Sequence, residues 1–389
     1  MNIFPRLNRG LSAVLLLALL AGISACSSSP KAPEPKPYPD LPADRIKLKK
    51  LWKTSVGDGI DGDDLRLSPS IGEQHVIAAS REGLLQSVER ESGRKLWKKE
   101  TGLPLTAGPA AAYGVVVVAT AKGEVAAFSE EDGSPKWKVS VGSAVVATPA
   151  VAADTVVVLA ADGTIHALAR DSGESRWTYN TTVPPLSLHA NAAPLIADNR
   201  VYVGTSGGKL MGLDLNTGVA GWELRVATNT GRTELERMAD IAADLLLVDD
   251  STLYSVGFQS QLTATDVASA RRRWQFDVSS VNALAEGLGN VYVSDTTGNV
   301  LAVDRASGKV SWKQPDFAWR QLSNPVVVGS VLAVGDNDGY VHLLGQSDGQ
   351  VRGRISVAGG PLVTLQARGD VLYCWDDNGD LSAWQIRQR

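Results

Sequence analysis

Cysteine and histidine are scarce in this chain: two and four among 389 residues. The histidines, His75, His166, His189 and His342, stand far apart, so nothing has the spacing of a metal site. Cys26 and Cys374 are too few for a disulfide framework. Gly-x-Ser-x-Gly, a phosphate loop and a dinucleotide fingerprint are all missing, which argues against hydrolases and nucleotide enzymes built on those motifs. Aspartates cluster at Asp336-Asn337-Asp338-Gly339 and Asp376-Asp377-Asn378-Gly379-Asp380, but neither run has the glycine at the sixth position or the closing glutamate of an EF-hand loop. They read as turn residues at strand ends, and no cofactor is expected. Positive charge is in deficit as well, with 38 basic against 42 acidic residues, so nothing attracts nucleic acid. At 44% hydrophobic and 21% charged, the chain has the composition of a globular protein with a large core.

The longest apolar run, Leu11 to Ile23, is too short for a stable membrane anchor and follows Arg6 and Arg9. Residues 1–25 therefore read as an export signal. Its end, Ile23-Ser24-Ala25-Cys26, resembles the lipobox of bacterial lipoproteins, which implies removal of 1–25 and a diacylglyceryl group on Cys26. Ser27 in second position resembles lipoproteins sorted to the outer membrane, facing the periplasm. Removing two arginines leaves 36 basic and 42 acidic residues, a net of −6. Cys374 then has no thiol partner and is expected to be a buried core residue. Residues 26–44 hold the lipidated cysteine and a tether with six prolines, too polar to pack; extended at about 3.1 Å per residue, it reaches roughly 55 Å.

From residue 45 to 389 one segment recurs: ADGTIHALARDSGESRW at 161–177, with counterparts at 82–97, 122–137, 207–222, 297–312 and 338–353. In the good copies a glycine precedes a tryptophan by four residues, as in Gly93/Trp97, Gly133/Trp137, Gly173/Trp177, Gly218/Trp222 and Gly308/Trp312. The turn needs positive φ, and the tryptophan is the large apolar group a small sheet can offer its neighbour. The interval of 40 residues from Trp97 to Trp137 and again to Trp177 is that of four strands, one propeller blade. Counting Trp52, Trp274, which ends a degenerate copy, and Gly353 gives eight markers. The chain closes with three strands and opens with LWKTSV at 51–56, a fourth strand without its blade. The expectation is an all-β, eight-bladed propeller whose two ends pair; seven blades is the alternative if the degenerate copy builds none.

The D-x-x-[ST]-G-x-x-x-W pattern of Asp214–Trp222 and Asp304–Trp312 resembles the pyrroloquinoline-quinone-like propeller repeat, which enzymes and non-enzymes share. Two adjacent connectors depart from it, and the one after Trp52, ending at Pro69 in a different sector, is stretched as well. The step from marker to the next first strand takes 12 residues from Trp97 to Pro109 but 17 from Trp177 to Pro194 and 24 from Trp222 to Leu246. Adjacent blades thus carry neighbouring projections, VPPLSLHANAAP at 183–194 and GRTELERMADIAA at 231–243. These are similar to the projections of the BamB family, lipoprotein subunits of the outer-membrane β-barrel assembly machine. In that family L-S-L-R and D-x-D stretches contact BamA, the central subunit, through its periplasmic domains.

The resemblance implies a non-catalytic scaffold, monomeric within a hetero-oligomeric complex. Leu186, Leu188 and Asp240 would bind a BamA-like subunit, with nascent β-barrel proteins as a further partner class. Leu186 and Leu188 would enter an apolar depression and Asp240 would pair with a basic group at the rim. His189 stands where the family has Arg, and Ala242 where it has the second Asp, which weakens the ionic part of the contact. Two other functions remain. A quinoprotein dehydrogenase shares the repeat, but one mature thiol cannot form the adjacent-cysteine disulfide of those enzymes. A ligand-binding propeller has only Trp319 and Trp375 as spare aromatics to offer.

Overall fold

Each repeat carries one strand of nearly unbroken β-branched or small apolar residues, such as Val115–Thr120 and Thr155–Leu159, buried along its whole length. A strand buried on both faces must lie between two other sheets, and that is the environment of a propeller's second strand. The outermost strands, such as Lys95–Glu100 and Ser175–Asn180, alternate half-buried and exposed residues. Their exposed lysines and arginines blunt the outer edge of each sheet against strand pairing between molecules.

The computed structural model describes residues 33–43, 45–60, 65–187, 192–227, 232–233 and 238–387. The export signal, Cys26, Leu188 and His189 lie outside the described residues. The chain divides after Pro35, and Lys36–Arg389 is the unit that holds the propeller. Eight antiparallel sheets succeed one another along it, each a meander of four strands, so the fifth, degenerate copy builds a full blade. Blades one to seven run in sequence from Ser70 to Ser356, and blade eight takes its three inner strands from Leu362–Arg387. Its outer strand is Lys47–Ser55, paired with Asp380–Arg387 from Lys47↔Arg387 to Ser55↔Asp380. The two ends of the domain thus close the ring, as expected. Blade two holds one further strand: Arg66–Leu67, from the stretched connector after Trp52, pairs in parallel with Leu105–Ala112.

The marker tryptophans join neighbouring blades. Trp97 Nε1 donates to Glu130 O in the next blade at 3.0 Å, Trp177 to Leu215 O at 2.8 Å and Trp312 to Gln346 O at 2.8 Å. Trp52, Trp137 and Trp274 bond Arg90, Arg170 and Arg305 in the same way. The glycine of the next blade's turn lies against the same indole: a Cβ on Gly173 would stand 2.7 Å from Trp137, and one on Gly218 2.5 Å from Trp177. The repeat's glycine is therefore fixed twice, by its positive φ and by the tryptophan of the blade before it.

Two seams lack this clasp. In the degenerate copy Ala270 replaces the glycine at φ 55, and Trp222 Nε1, though buried, has no partner among the described residues. Trp222 still packs in the apolar cluster of this seam, with Leu253 and Val267 of the next blade, and against Gly212 and Tyr202 of its own. At Gly353 the chain entering blade eight crosses so closely that a Cβ would lie 2.5 Å from Ile46 O, while Ile46 N donates to Arg352 O at 2.8 Å. A tryptophan at that marker position would obstruct the ring's closing strand.

The tether departs from expectation. Lys36 to Pro39 do not hang free but pack on the propeller, with Lys36 N donating to Ala318 O at 3.1 Å and Tyr38 hydrogen-bonded to blade seven. The lone tyrosine in the proline-rich stretch supplies the packing that composition alone did not foresee. The aspartate runs form turns: Asp376 Oδ1 accepts from Asp380 N at 2.8 Å and Asp336 Oδ1 from Tyr340 N at 2.9 Å. Cys374 is buried in the core of blade eight, and burial pushes its thiol well up.

Two measurements test these contacts. Gly173→Ala is expected to cost about 1–2 kcal/mol for its φ and a further 1–3 for the clash with Trp137, whereas Gly142→Ala, at φ 83 in open space, incurs only the first, as urea unfolding will show. Burial pushes the Asp376 carboxyl up to about 6; the charges of Asp380 and Asp377 add to the rise, while Lys53 and the Asp380 N–H oppose it. The folded chain then holds this proton more tightly than the unfolded one. Its contribution is full below about pH 4 and is lost as pH rises through 6. Asp376→Asn is accordingly expected to be about 2–3 kcal/mol more stable than wild type at pH 8, with the advantage gone at pH 4.

Candidate functional site

Because strands alternate direction, the connectors between blades and the turns between second and third strands share one face of the ring. Both long connectors emerge there. The connector from blade four to blade five does not project along its whole length: residues 238–243, Met-Ala-Asp-Ile-Ala-Ala, are all buried. They lie between the turn at 205–208 and the backbone at Gly257. Ile241 N donates to Thr205 O at 3.4 Å, Phe258 N to Asp240 O at 3.1 Å, and a Cβ on Gly257 would stand 1.9 Å from Asp240 O. Ile241 joins Tyr202, Leu210 and Leu253 in an apolar cluster, so this connector packs the connector-face end of the seam that lacks the tryptophan clasp.

The two connectors are tied together. Ala192 N, on the first, donates to Ile241 O at 3.3 Å, and Ala193 N to Asp244 Oδ1 at 2.8 Å. Pro184, Pro185 and Leu186 face Met238, Ala239 and Asp240 across a cleft floored by Gly207. Leu186 keeps 40% of its surface exposed, so it does not tuck beneath its own loop. The prolines hold φ and leave few amides to satisfy, which gives an exposed apolar lip a defined backbone.

Asp240 is not a solvated rim charge. It is 1% exposed, and its Oδ1 accepts from Gly207 N at 3.0 Å, so its carboxylate ties the second connector to a turn of blade four. Sequence alone could not tell a projecting acid from one turned inward. Ala242 is fully buried, and an aspartate in its place would need a buried partner. The structure thus joins Leu186 and Asp240 in one cleft, with Asp240 as a positioning residue. Met238, Pro184 and Pro185 line the same cleft and were not singled out from sequence, although the Pro-Pro pair before Leu186 was a legible sign of a rigid lip.

Of the spare aromatics, Trp375 is core and Trp319 is 44% exposed on the connector face, at φ 65. His166 and His342 sit at equivalent places in their blades, facing Val158 and Val334. Burial lowers the pKa of both. Asp240→Ala leaves the Gly207 N–H without its acceptor and is expected to destabilise the fold by about 1–3 kcal/mol, whereas Asp240→Asn retains an acceptor and is expected to stay within about 1 kcal/mol of wild type in thermal and urea melts.

Comparison with known proteins bears on this arrangement. Residues 81–314 match the family described as outer membrane protein assembly factor BamB. The protein of that name from Pseudomonas aeruginosa is 49% identical over 374 residues, covering 96% of this chain and 98% of the relative. The crystal structure of BamB from Moraxella catarrhalis superposes with a TM-score of 0.80 at 30% identity, over 87% of this chain and all of that one. The quinohemoprotein alcohol dehydrogenase of Comamonas testosteroni reaches 0.70 at 12% identity, over 88% of this chain and 77% of that one, a likeness of fold alone. An eight-bladed ring, closed by its N-terminal strand and aligned over nearly its full length with such relatives, belongs to the BamB family of outer membrane protein assembly factors.

Proposed function

We propose that this chain is a non-catalytic scaffold in outer-membrane protein assembly, held by lipid on Cys26 to the periplasmic side of the outer membrane. It docks the periplasmic domains of a BamA-like subunit and so aids folding and insertion of β-barrel proteins. The observation that carries this reading is the cleft between two tied connectors, with an exposed leucine on a proline-stiffened lip.

Leu186 is the anchor in this reading: burying such a side chain is worth about 1.5–3 kcal/mol, and its backbone is already held, which lowers the ordering cost of association. Leu188, outside the described residues, is the second leucine of the proposed contact. Asp240 acts from within, holding Met238 and Ala239 as the opposite wall, so the contact depends less on ion pairing than an exposed acid would make it. His189 cannot make the bidentate carboxylate contact of the arginine that the family has there. Docking asks no cofactor and no reacting group, and the scaffold is a monomer joined to unlike subunits. Nascent barrel proteins are the second partner class.

Leu186→Asp should weaken co-purification of the large barrel-forming subunit from solubilised envelopes by about 10-fold to 100-fold. At an exposed position it should change stability by no more than about 0.5 kcal/mol. Undiminished recovery of that subunit with the variant would refute the assignment of this cleft.

A further inference from the structure

The segment Lys36-Pro37-Tyr38-Pro39 occupies a pocket formed by blade seven and the connector leading into it. Its backbone is held at both groups of Lys36: the N–H donates to Ala318 O at 3.1 Å, and the carbonyl accepts from Arg320 Nη2. The Lys36 ammonium donates to Pro315 O at 3.0 Å. Two guanidinium groups lie against the Tyr38 ring, that of Arg320 at 3.4 Å from the centroid and that of Arg354 at 4.3 Å. Tyr340 meets the ring edge-on at 5.3 Å. The hydroxyl sits within hydrogen-bonding distance of Asp336 Oδ2 at 2.9 Å and Asp338 Oδ2 at 2.7 Å.

Beneath the tyrosine the pocket is costly to leave open. Asp336 and His342 are both fully buried and bonded at 2.8 Å, and Phe317 closes over the imidazole at 4.4 Å. Burial lowers the His342 pKa; burial alone would raise that of Asp336, but the bonds from His342 and the Tyr340 N–H hold it below the usual range. The pair is therefore a carboxylate facing a neutral imidazole that donates from Nε2. Arg320 is itself 8% exposed. Buried charges of this kind are retained only when their hydrogen bonds are satisfied. The tether residue supplies part of this, offering a donor to the acids and a π-face to the cations, while Arg320 Nε and His342 Nδ1 keep no partner among the described residues.

We propose that residues 36–39 are an intramolecular ligand and that this pocket of blade seven is their binding site, a Tyr-Pro recognition site that fixes the tether on the connector face. With Lys36 held, the ten residues Cys26 to Pro35 would span at most roughly 30 Å if fully extended, against the 55 Å of an undocked tether. The docked segment lies on the same face as the Leu186 cleft, three blades round the ring. The pocket stands on its own contacts; only the reach to a membrane rests on the lipid anchor proposed above.

The test places one fluorophore on Ala32→Cys, since Cys374 is buried and does not react. Polarisation decay is compared for wild-type and Tyr38→Ala backgrounds, both as lipidated chain in micelles and as the Cys26→Ser chain in water. The expected result is slow, propeller-coupled motion in wild type and fast local motion in Tyr38→Ala, in both preparations, with Tyr38→Phe between them. A labelled peptide Lys-Pro-Tyr-Pro-Asp-Leu-Pro is expected to bind the Tyr38→Ala chain at least about tenfold more tightly than wild type, whose site is occupied by its own segment at high effective concentration. Equal mobility in wild type and Tyr38→Ala, or equal peptide binding, would overturn the proposal. Whether Cys26→Ser abolishes association with micelles tests the anchor separately, and the Tyr38 dependence stands or falls without it.

Discussion

The propeller depends on one repeated contact: an indole on the outer strand of one blade donates to a carbonyl of the next, while that next blade lays a glycine turn against its ring. A single four-stranded sheet cannot bury both its faces, so each blade is stable only through its neighbours. The clasp makes this association specific in angle as well as favourable in area. Apolar burial brings two sheets together without fixing their rotation, but a donor that must reach one carbonyl does fix it. The acceptor lies seven residues before the next marker in every clasp, from Arg90 before Trp97 to Gln346 before Gly353. A constant offset gives a constant rotation between blades, and that is what closes a ring of eight.

The two seams without a clasp are where the chain does something other than repeat. Between blades four and five the expected acceptor is Val267, but the buried Trp222 Nε1 finds no partner among the described residues. At its connector-face end the same seam is packed by Ile241 and the connector that carries it. Between blades seven and eight the tryptophan gives way to Gly353 so that the closing strand can pass at Ile46. Local rules are relaxed at sites that serve another purpose, with compensation supplied by neighbouring residues. Here the compensations are a connector folded inward and the strand that joins the tether to the ring.

The regular part of this structure was legible because it is periodic. The 40-residue interval, the turn glycines and the unpaired strand at 51–56 led to eight blades and the closure of Lys47–Ser55 on the last sheet. The second role of the glycines was not legible, because it concerns the preceding blade, some forty residues away in sequence. The site was half legible. Unequal connector lengths pointed to adjacent long connectors, and Leu186 is exposed on the first of them. The direction of Asp240 was not readable, since an acid in a loop is ordinarily solvated and only the inward path of residues 238–243 turns it to Gly207. The packing of Tyr38 escaped for the opposite reason. A proline-rich stretch reads as a spacer by composition, and its one aromatic finds partners nearly 300 residues away.

Both irregular features fall on the connector face, and the geometry of a propeller makes this more than coincidence. The opposite face carries the hairpins between first and second and between third and fourth strands, where the clasp carbonyls and the turn glycines lie. Insertions there would disturb the contacts on which every seam depends. The connector face has no part in the clasp, so it is free to lengthen its loops and to accept a foreign segment. An exposed leucine lip on blades three to four and a docked tether on blade seven are thus permitted by one constraint: the rotation between blades is set from the other side. A surface that can vary without unlocking the ring is free to acquire loops and to hold foreign segments, and it is the one on which Lys36–Pro39 rest.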